Sequence, residues 1–282
     1  MNNQFSDLKN RVLIFMSVFN GEKYLRDSID SIINQTVTDF DFLIINDGST
    51  DSTNDILNEY NDVSTPEVKI INFNNNNGLS YHLSRIPNYT QSDLIVRMDA
   101  DDLSYPNRLE NIIKAYKKYN FDWYNSIVEH IDSDNNSLGI APDSYINLDY
   151  KNKYLYYMNF YCHGSAAFTT KALLNVGGYD ASLTYAQDYD LWLKFLMHNK
   201  KFYFDPNTLY QQRITSESIS QKIFNKQFYY ALKISAKYPG SNNFLNLVTK
   251  FCYKYYNFFT RMIYSYFIRV FKKALLIYKI GK

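Results

Sequence analysis

Cysteines, a secretion signal and long hydrophobic runs are scarce or missing in this sequence of 282 residues. Its two cysteines, Cys162 and Cys252, lie far apart without metal-ligand spacing, which fits a reduced, cytoplasmic protein. Residues 1–10 are polar and include Asp7, so they lack the charged-then-apolar pattern of a secretion signal. Because no uncharged apolar run reaches about eighteen residues, we expect no segment that spans a bilayer.

Acidic residues are also absent from the last part of the chain, after Glu217. Residues 218–282 contain twelve lysines and arginines, which leaves 18 basic against 28 acidic groups in residues 1–217. The overall net charge of +2 therefore combines an acidic region of about −10 with a basic one. This asymmetry predicts two modules, a main domain over residues 1–215 and a basic, aromatic, helical tail over residues 216–282.

Buried strands alternate with amphipathic helices through the first hundred residues. Apolar runs of strand length end near Val18, Asn46, Phe73 and Met98, and helical patterns follow the first three. Such runs are typical of strands that are buried on both faces of a parallel sheet. The alternation predicts an α/β fold with a Rossmann-like sheet flanked by helices, in which ligands bind at the carboxyl ends of the strands.

Polar loops follow these strand ends, so Asn20, Asp47, Gly78 and Asp99–Asp102 are expected to meet in one crevice. The first loop has neither a Gly-x-Gly-x-x-Gly sequence nor a Walker P-loop, which disfavours a dinucleotide-binding domain and a P-loop NTPase. The chain also lacks, after its first strand, the Gly-rich loop with Arg and Lys that a nucleotidyltransferase would need. That activity is therefore an alternative with little support from the residues.

Three carboxylates stand within four residues, at Asp99, Asp101 and Asp102. An Asp-x-Asp pattern after a buried strand suits a Mg²⁺ or Mn²⁺ ion that also holds substrate phosphates, because these ions prefer oxygen ligands. The alternative is an acidic turn that caps the helix beginning at Pro106. The three residues alone leave both interpretations open.

Five segments resemble, in order and in spacing, the motifs of family 2 glycosyltransferases with the GT-A fold. They are Ser17–Leu25 (SVFNGEKYL), Ile45–Asp51 (INDGSTD), Arg97–Asp102 (RMDADD), Gly177–Asp180 (GGYD) and Gln187–Trp192 (QDYDLW). The resemblance covers about residues 11–220 and implies the GT-A nucleotide-diphospho-sugar transferase fold. It further implies an enzyme of the bacterial O-antigen or capsule type.

The resemblance implies a site for a nucleotide sugar and a divalent metal ion in the first half of the chain. The residues expected to bind the nucleotide sugar are Val18, Asn20, Glu22, Asp47, Gly78, Asp99 and Arg213. Asp47 holds the position that pairs with the nucleotide base, and its alternative role is that of a turn residue before glycine. Asp101 is the expected ligand of Mn²⁺ or Mg²⁺. Asp99 is expected to lie near the ribose and to be a second ligand of the same ion. Asp102 is either a supporting residue or the start of a helix.

Asp188 occupies the position of the family's general base, which implies direct displacement and inversion at the anomeric carbon. The preceding residue is Gln187 where the family usually has Glu, so the charge beside the base differs. The alternative for Asp188 is a helix N-cap, because residues 189–197 have a helical pattern.

The acceptor side is expected to include His163, Gln187 and Trp192, with selectivity determined within residues 145–161. His163 is either a diphosphate contact or a buried, hydrogen-bonded histidine, and Trp192 is either a sugar platform or a packing residue. Arg213 lies where the family often has Tyr-Arg-x-His, but Thr215 replaces that histidine. Arg213 is therefore expected to hold a phosphate, without a metal ligand from the same loop.

The tail has aromatic and aliphatic residues at intervals of three and four between Phe244 and Leu275, with Lys and Arg between them. A basic amphipathic helix of this kind predicts association with a membrane interface. The alternative is a helical hairpin that packs on the main domain. Nucleic-acid binding is not expected, because the main domain is acidic and no nucleic-acid-binding module is recognisable.

Together these features predict a metal-dependent inverting glycosyltransferase. The expected donor is a UDP-linked hexose, such as UDP-glucose, UDP-galactose or a UDP-N-acetylhexosamine. The expected acceptor is a hydroxyl of a lipid-linked (undecaprenyl-diphosphate) glycan in O-antigen or capsular polysaccharide biosynthesis, reached from the cytoplasmic face of the cell membrane. The alternative from another class is a catalytically inactive scaffold of a membrane assembly complex.

Overall fold

A computed structural model describes residues 12–145, 148, 154–215, 224–238, 247 and 250. Most of the predicted tail, including nearly all of the proposed membrane-interface helix between Phe244 and Leu275, lies outside the described residues. Within the described ranges, no helix combines the length and the apolarity that crossing a membrane requires.

Four parallel strands form the first half of the sheet, in the spatial order β3-β2-β1-β4. They are β1 (Val12–Val18), β2 (Asp41–Asp47), β3 (Glu67–Phe73) and β4 (Leu94–Asp99). Ser17 at the end of β1 pairs with Ile45 of β2 and with Asp99 of β4, so the polar loops leave the sheet at one edge. The predicted strands and their common edge are confirmed.

Five further strands extend this sheet and make it mixed. They are β5 (Leu103–Ser104), β6 (Trp123–Ile131), β7 (Ser137–Ile140), β8 (Ala167–Thr169) and β9 (Phe202–Arg213). Strand β8 is antiparallel to β4, and the order continues through β6 and β9 to β5, with β7 beside β6. The long pairing of β6 with β9 brings the end of β9 to the loop after β4, because Leu103 of β5 pairs with Gln211.

Helices cover both faces of the sheet. They are α1 (Leu25–Ile33), α2 (Thr53–Asn58), α3 (Leu79–Leu83), α4 (Ile86–Tyr89), α5 (Arg108–Tyr119), α6 (Thr170–Asn175), α7 (Gln187–Met197) and α8 (Phe224–Lys237), with a 3₁₀ turn at Pro142–Tyr145. Leu25, Ile29 and Ile32 recur at helical spacing and are buried, which explains why α1 docks on the sheet. Helix α5 ends at Asn120, whose positive φ of 47° provides a left-handed cap.

Two hydrophobic clusters form the core, one on each face of the sheet. Alternate residues of β1 belong to different clusters: Leu13 and Phe15 pack in one, and Val12, Ile14 and Met16 pack in the other. This arrangement explains the continuous apolar run of the strand, because both of its faces are covered.

Helix α8 lies beyond the predicted domain boundary at residue 215 and packs against the main domain. Its Ile234, together with Tyr238 just after the helix, belongs to the first hydrophobic cluster, and Leu232 is also buried. The Ser235 hydroxyl donates a hydrogen bond to the Tyr156 carbonyl at 2.5 Å. For residues 224–238, packing on the main domain is therefore what the structure shows, while the division into two modules stays a prediction.

Candidate active site

A pocket of about 1070 Å³ lies at the carboxyl ends of β1, β2 and β4. Its other walls come from β6 and β9, from residues 141–144 and 157–163, from the start of α7 and from α8. Ten of the predicted site residues line it, namely Val18, Asn20, Asp47, Gly78, Asp99, Asp101, His163, Gln187, Asp188 and Arg213. The predicted residues Glu22 and Trp192 are not part of this lining.

Asn20 and Glu22 join the loop after β1 to the loop after β2. Asn20 has a positive φ of 52°, and its Oδ1 accepts a hydrogen bond from the Thr50 backbone N–H at 2.8 Å. The Glu22 Oε2 atom accepts one from the Ser52 N–H at 3.0 Å. Glu22 is therefore engaged with the neighbouring loop and is not part of the pocket lining, and its binding of the nucleotide sugar stays a prediction.

Asp47 is buried at the end of β2 and holds the loop that follows β3. Its Oδ1 accepts hydrogen bonds from the Asn77 N–H at 2.8 Å and from His82 Nε2 at 2.7 Å, while Oδ2 accepts one from the Gly78 N–H at 2.8 Å. Burial acts to raise the pKa of Asp47, but the donors at Asn77, His82 and Gly78 lower it below the ordinary value. Asp47 is therefore an ionised, oriented carboxylate that lines the pocket.

Asp99 is oriented by Arg97, a fully buried arginine in the middle of β4. The Arg97 Nη2 atom donates to Asp99 Oδ1 at 2.7 Å, and Nη1 donates to the Phe15 carbonyl at 2.8 Å. A guanidinium that is held by a backbone carbonyl presents a fixed donor to the carboxylate. Asp99 consequently extends from the strand end with one oxygen anchored.

Asp101 and Asp102 have different environments although they are adjacent. Asp101 is accessible from the pocket, and its pKa is raised to about 6 by desolvation within the pocket and by the Asp99 carboxylate. Asp102 is buried, and it accepts hydrogen bonds from the Tyr210 hydroxyl at 2.7 Å and from the Arg213 N–H at 2.8 Å. Helix α5 begins only at Arg108, so Asp102 is a supporting residue and its assignment as a helix start is wrong.

The residues present fit a divalent metal ion at Asp101 and Asp99. Among the described residues, no group of three or more His, Cys, Asp and Glu side chains could hold a metal by itself. Mg²⁺ and Mn²⁺ sites of nucleotide enzymes typically combine one or two carboxylates with substrate phosphates and water. The repulsion that raises the pKa of Asp101 is the charge imbalance that such an ion would neutralise.

Arg213 lies at the end of β9, and its guanidinium donates hydrogen bonds to other groups of the protein. Its Nε donates to the Asp101 carbonyl at 2.7 Å, Nη1 to the Asp132 carbonyl at 2.7 Å, and Nη2 to Asn135 Oδ1 at 2.6 Å. The guanidinium also lies 4.2 Å from the centre of the Tyr24 ring. Arg213 therefore fastens the aspartate loop to the β6–β7 hairpin, and phosphate binding by its side chain stays a prediction.

Asp188 lies in the first turn of α7 and faces the pocket. The N-cap is Ala186, whose positive φ of 57° is uncommon for a residue with a side chain, so the N-cap assignment of Asp188 is wrong. The Asp188 Oδ2 atom accepts a hydrogen bond from Asn159 Nδ2 at 2.8 Å. Burial raises the pKa of Asp188 to about 6 despite the hydrogen bonds, and Asp99 adds to the increase. A carboxylate with this pKa is a suitable general base near neutral pH.

His163 is a half-buried member of a hydrogen-bonded chain, and Trp192 is a core residue. His163 Nε2 lies 2.8 Å from the Tyr179 hydroxyl and 3.3 Å from Arg97 Nε, and burial together with Arg97 lowers its pKa well below the ordinary value. Trp192 is 0% exposed and stacks on Trp123 at a centroid distance of 5.1 Å. His163 also lines the pocket, so both of its interpretations stay open. Trp192 is a packing residue, and its acceptor-side assignment is wrong.

Several residues of the site were missed by the sequence analysis. Arg97 could have been identified from the sequence, because a charged residue inside a buried strand requires a polar partner. His82, Asn159, Tyr210 and the pocket-lining residues of α8 had no signal, because each joins the site through contacts with distant parts of the chain.

The mixed sheet with a pocket at its parallel strand ends is the GT-A fold of glycosyltransferases. Over residues 13–177 the chain matches the profile of Glycosyl transferase family 2, and the protein is accordingly a transferase enzyme. The chain belongs to this family, which confirms the family and the fold that its motifs predicted. A relative is the O-antigen biosynthesis glycosyltransferase WbnJ of Escherichia coli, which is 29% identical over 246 residues, 86% of this chain and 95% of WbnJ.

Two solved structures share the fold at low sequence identity. TarS of S. aureus, in a structure of its residues 1–349 with UDP-GlcNAc, aligns with a TM-score of 0.65 at 15% identity, over 88% of this chain and 73% of that one. The mannosyltransferase PcManGT of Pyrobaculum calidifontis, in complex with GDP-Man and Mn²⁺, aligns with a TM-score of 0.63 at 14% identity, over 88% and 70%.

Proposed function

We propose that this protein is an inverting glycosyltransferase that uses Asp188 as its general base and binds a nucleotide sugar at the carboxyl ends of β1, β2 and β4. The observation that carries the proposal is that the Asp188 carboxylate shares one pocket with Asp99 and Asp101. The pKa of about 6 makes Asp188 mostly ionised at neutral pH, as a proton acceptor must be.

The donor half of the pocket provides fixed polar groups for the nucleotide. Asp47 presents an oriented carboxylate for the base, and Asp99 lies at the strand end where the ribose would bind. Asp101 and Asp99 would hold Mn²⁺ or Mg²⁺, which stabilises the negative charge of a departing nucleoside diphosphate. Arg213 and Asp102 keep the aspartate loop in place through hydrogen bonds to its backbone and to β9.

The transfer is a single displacement. An acceptor hydroxyl gives its proton to Asp188 while its oxygen forms a bond to the anomeric carbon of the donor sugar. The bond from that carbon to the diphosphate oxygen breaks, and its electron pair leaves with the nucleoside diphosphate. Because attack and departure take place on opposite faces of the carbon, the anomeric configuration inverts. Asn159 holds the Asp188 carboxylate for this step, and Gln187 lies beside it on the acceptor side.

We infer a UDP-linked hexose as the donor and a lipid-linked glycan hydroxyl as the acceptor, in O-antigen or capsular polysaccharide biosynthesis at the cytoplasmic face of the cell membrane. The name of WbnJ and the UDP-GlcNAc complex of TarS support these assignments. The basic composition of residues 218–282 supports attraction to an anionic lipid surface.

A thermal-shift series with nucleotide sugars tests the donor site. UDP-glucose, UDP-galactose, UDP-N-acetylhexosamines and GDP-mannose are each added with Mn²⁺ to the full chain and to Asp101→Asn. Because a ligand of the native state raises the melting temperature, at least one UDP-sugar is expected to stabilise the wild-type protein and to stabilise Asp101→Asn less. If no donor raises the melting temperature, the protein is better described as a scaffold with a glycosyltransferase fold.

A further inference from the structure

The two oxygens of Asp47 are not equivalent. Oδ1 accepts three hydrogen bonds, from the Asn77 N–H at 2.8 Å, from Asn77 Nδ2 at 3.3 Å and from His82 Nε2 at 2.7 Å. Within the described residues, Oδ2 accepts one, from the Gly78 N–H at 2.8 Å. A carboxylate oxygen accepts about two directional hydrogen bonds. Oδ1 is therefore fully occupied, whereas Oδ2 can accept one more hydrogen bond.

His82 is the donor that completes this asymmetry. Its side chain is 0% exposed, and its ring packs edge-on against Phe73 at a centroid distance of 4.7 Å. Because an ionised carboxylate can only accept, the Nε2 atom of His82 must carry the hydrogen of the shared bond. Within the part of the chain that the structure describes, the other ring nitrogen, Nδ1, is buried without a partner.

An unpartnered ring nitrogen in an apolar setting is unfavourable, since the atom loses its hydrogen bonds to water on folding. An apolar residue of similar size would fill the space between Phe73 and Asp47 without that loss. The bond from His82 to Asp47 Oδ1 is therefore the feature that distinguishes histidine from an apolar residue at this position.

We propose that His82 is a positioning residue that occupies Asp47 Oδ1 and leaves Oδ2 as the one acceptor for the nucleotide base, so that the site prefers uracil to guanine. This inference rests on the proposed nucleotide-sugar site. Uracil has a single ring N–H, at N3, which suits one free carboxylate oxygen. Guanine presents two adjacent donors, N1–H and the N2 amino group, which pair best with both oxygens of a carboxylate. Adenine and cytosine offer a ring nitrogen acceptor, which an ionised carboxylate repels.

Calorimetric titration of the full chain with UDP, GDP and inorganic diphosphate, each with Mn²⁺, tests this role. The variants are His82→Leu, which removes the donor, and His82→Gln, which can keep an N–H near the same place. We expect the wild-type protein and His82→Gln to prefer UDP to GDP. In His82→Leu the ratio of UDP to GDP affinity is expected to fall by about tenfold or more, because Oδ1 then keeps only the Asn77 N–H and the long 3.3 Å bond from Asn77 Nδ2, which the second guanine donor can displace. Diphosphate affinity is expected to stay the same in all three proteins.

A second variant keeps the proposal testable if His82→Leu does not fold. In Asp47→Asn, the donors at His82 and Asn77 favour the amide oxygen at the Oδ1 position, whereas the single Gly78 N–H favours it at the Oδ2 position. The amide nitrogen is therefore expected to face the base as long as His82 is present. The preference is therefore expected to change from UDP to CDP, whose cytosine has an acceptor at N3. Without positioning by His82, the amide would rotate and the preference for UDP would persist.

Three results would overturn the inference while leaving the proposed function intact. They are a UDP-to-GDP ratio that His82→Leu does not change, an equal loss of affinity for UDP, GDP and diphosphate in that variant, and a preference for UDP that Asp47→Asn retains. Failure of wild-type protein to bind any of these nucleotides would instead overturn the proposed function together with the inference.

Discussion

The two halves of the pocket are built in different ways. The donor half consists of loops at adjacent parallel strand ends, and hydrogen bonds such as those of Asn20 and Asp47 tie these loops to one another. The other half, which we propose receives the acceptor and therefore call the acceptor half, includes residues 157–163 and helices α7 and α8, which come from distant parts of the chain. The sheet register therefore determines the donor half, whereas the acceptor half depends on how separate segments dock.

One buried carboxylate, Asp190, holds the acceptor half together. It is 0% exposed, and its Oδ2 lies 2.7 Å from Lys194 Nζ of the same helix. Its Oδ1 accepts a hydrogen bond from the Tyr238 hydroxyl at 2.9 Å and lies 3.4 Å from Lys237 Nζ, both at the end of α8. Asp190 therefore connects α7 to the end of α8 at a point two residues from Asp188.

The largest effect is expected at the base of the acceptor half. Asp188→Asn should lower transfer by about 10²- to 10⁴-fold, because the amide cannot accept the proton. Binding of the nucleotide sugar, measured by calorimetry, should remain close to that of the wild-type protein. Asp55→Asn, an exposed carboxylate on α2, is the control and should keep full transfer. Near-normal turnover of Asp188→Asn would rule out the base assignment.

On the donor side, Asp101→Asn should lower metal-dependent turnover by at least about 100-fold. Mutation of residues that only hydrogen-bond to a metal ligand already costs up to about 100-fold in metal affinity or activity, and a ligand itself should cost more. Activity is measured across a Mn²⁺ titration, and the half-saturating Mn²⁺ concentration should rise. An unchanged Mn²⁺ dependence would mean that the ion binds elsewhere.

The link between α7 and α8 is expected to contribute to stability. Asp190→Ala should lower the free energy of unfolding by about 2 kcal/mol, because the buried hydrogen bond to Tyr238 and the ion pair with Lys194 are lost. The change is measured by urea unfolding, and UDP affinity in the folded variant should be retained. An unchanged free energy of unfolding would contradict the stabilising role of Asp190. A loss of UDP affinity would show that the donor half depends on the docking of α8.

Asp101 and Asp188 both have a pKa of about 6 without metal, but saturating Mn²⁺ is expected to keep Asp101 ionised, so the pH dependence of transfer should then be determined by Asp188. Because burial raises the pKa of Asp188 to about 6, the base loses its negative charge as the pH falls through that value. We expect kcat/KM to decrease about tenfold for each pH unit below 6, while UDP binding changes less over pH 6–7. The measurement is an initial-rate series from pH 5 to 8 at saturating Mn²⁺. A rate that is constant down to pH 5 would contradict the assignment.

The smallest effect is expected at the wall that α8 adds to the pocket. Phe228 lines the pocket, whereas Lys226 on the same helix is exposed and does not. Phe228→Ala should raise the KM for the acceptor by about fivefold through lost apolar contact, with little change in the KM for the donor. Lys226→Ala is the matched control. Equal effects of the two substitutions would remove α8 from the acceptor site.

The strand ends could be predicted from the sequence because burial on both faces leaves a continuous apolar run, and because parallel strands end at the same edge. Asp47, Asp99 and Asp101 were located in this way, and the motifs added Asp188. The predicted direct role of Trp192 differs from the structure, because a motif position does not reveal what a side chain contacts. Glu22 holds a neighbouring loop, and Trp192 fills the core.

By itself, then, the sequence determined the strand pattern, the order of the polar loops and the family. Only the tertiary structure decided the division of labour among the aspartates, with Asp101 open to the pocket and Asp102 bonded to Tyr210. It also decided that His82 donates to Asp47 and that α8 lines the pocket. The reason is physical: strand and loop patterns are local, whereas these contacts join residues that are between 35 and 108 positions apart.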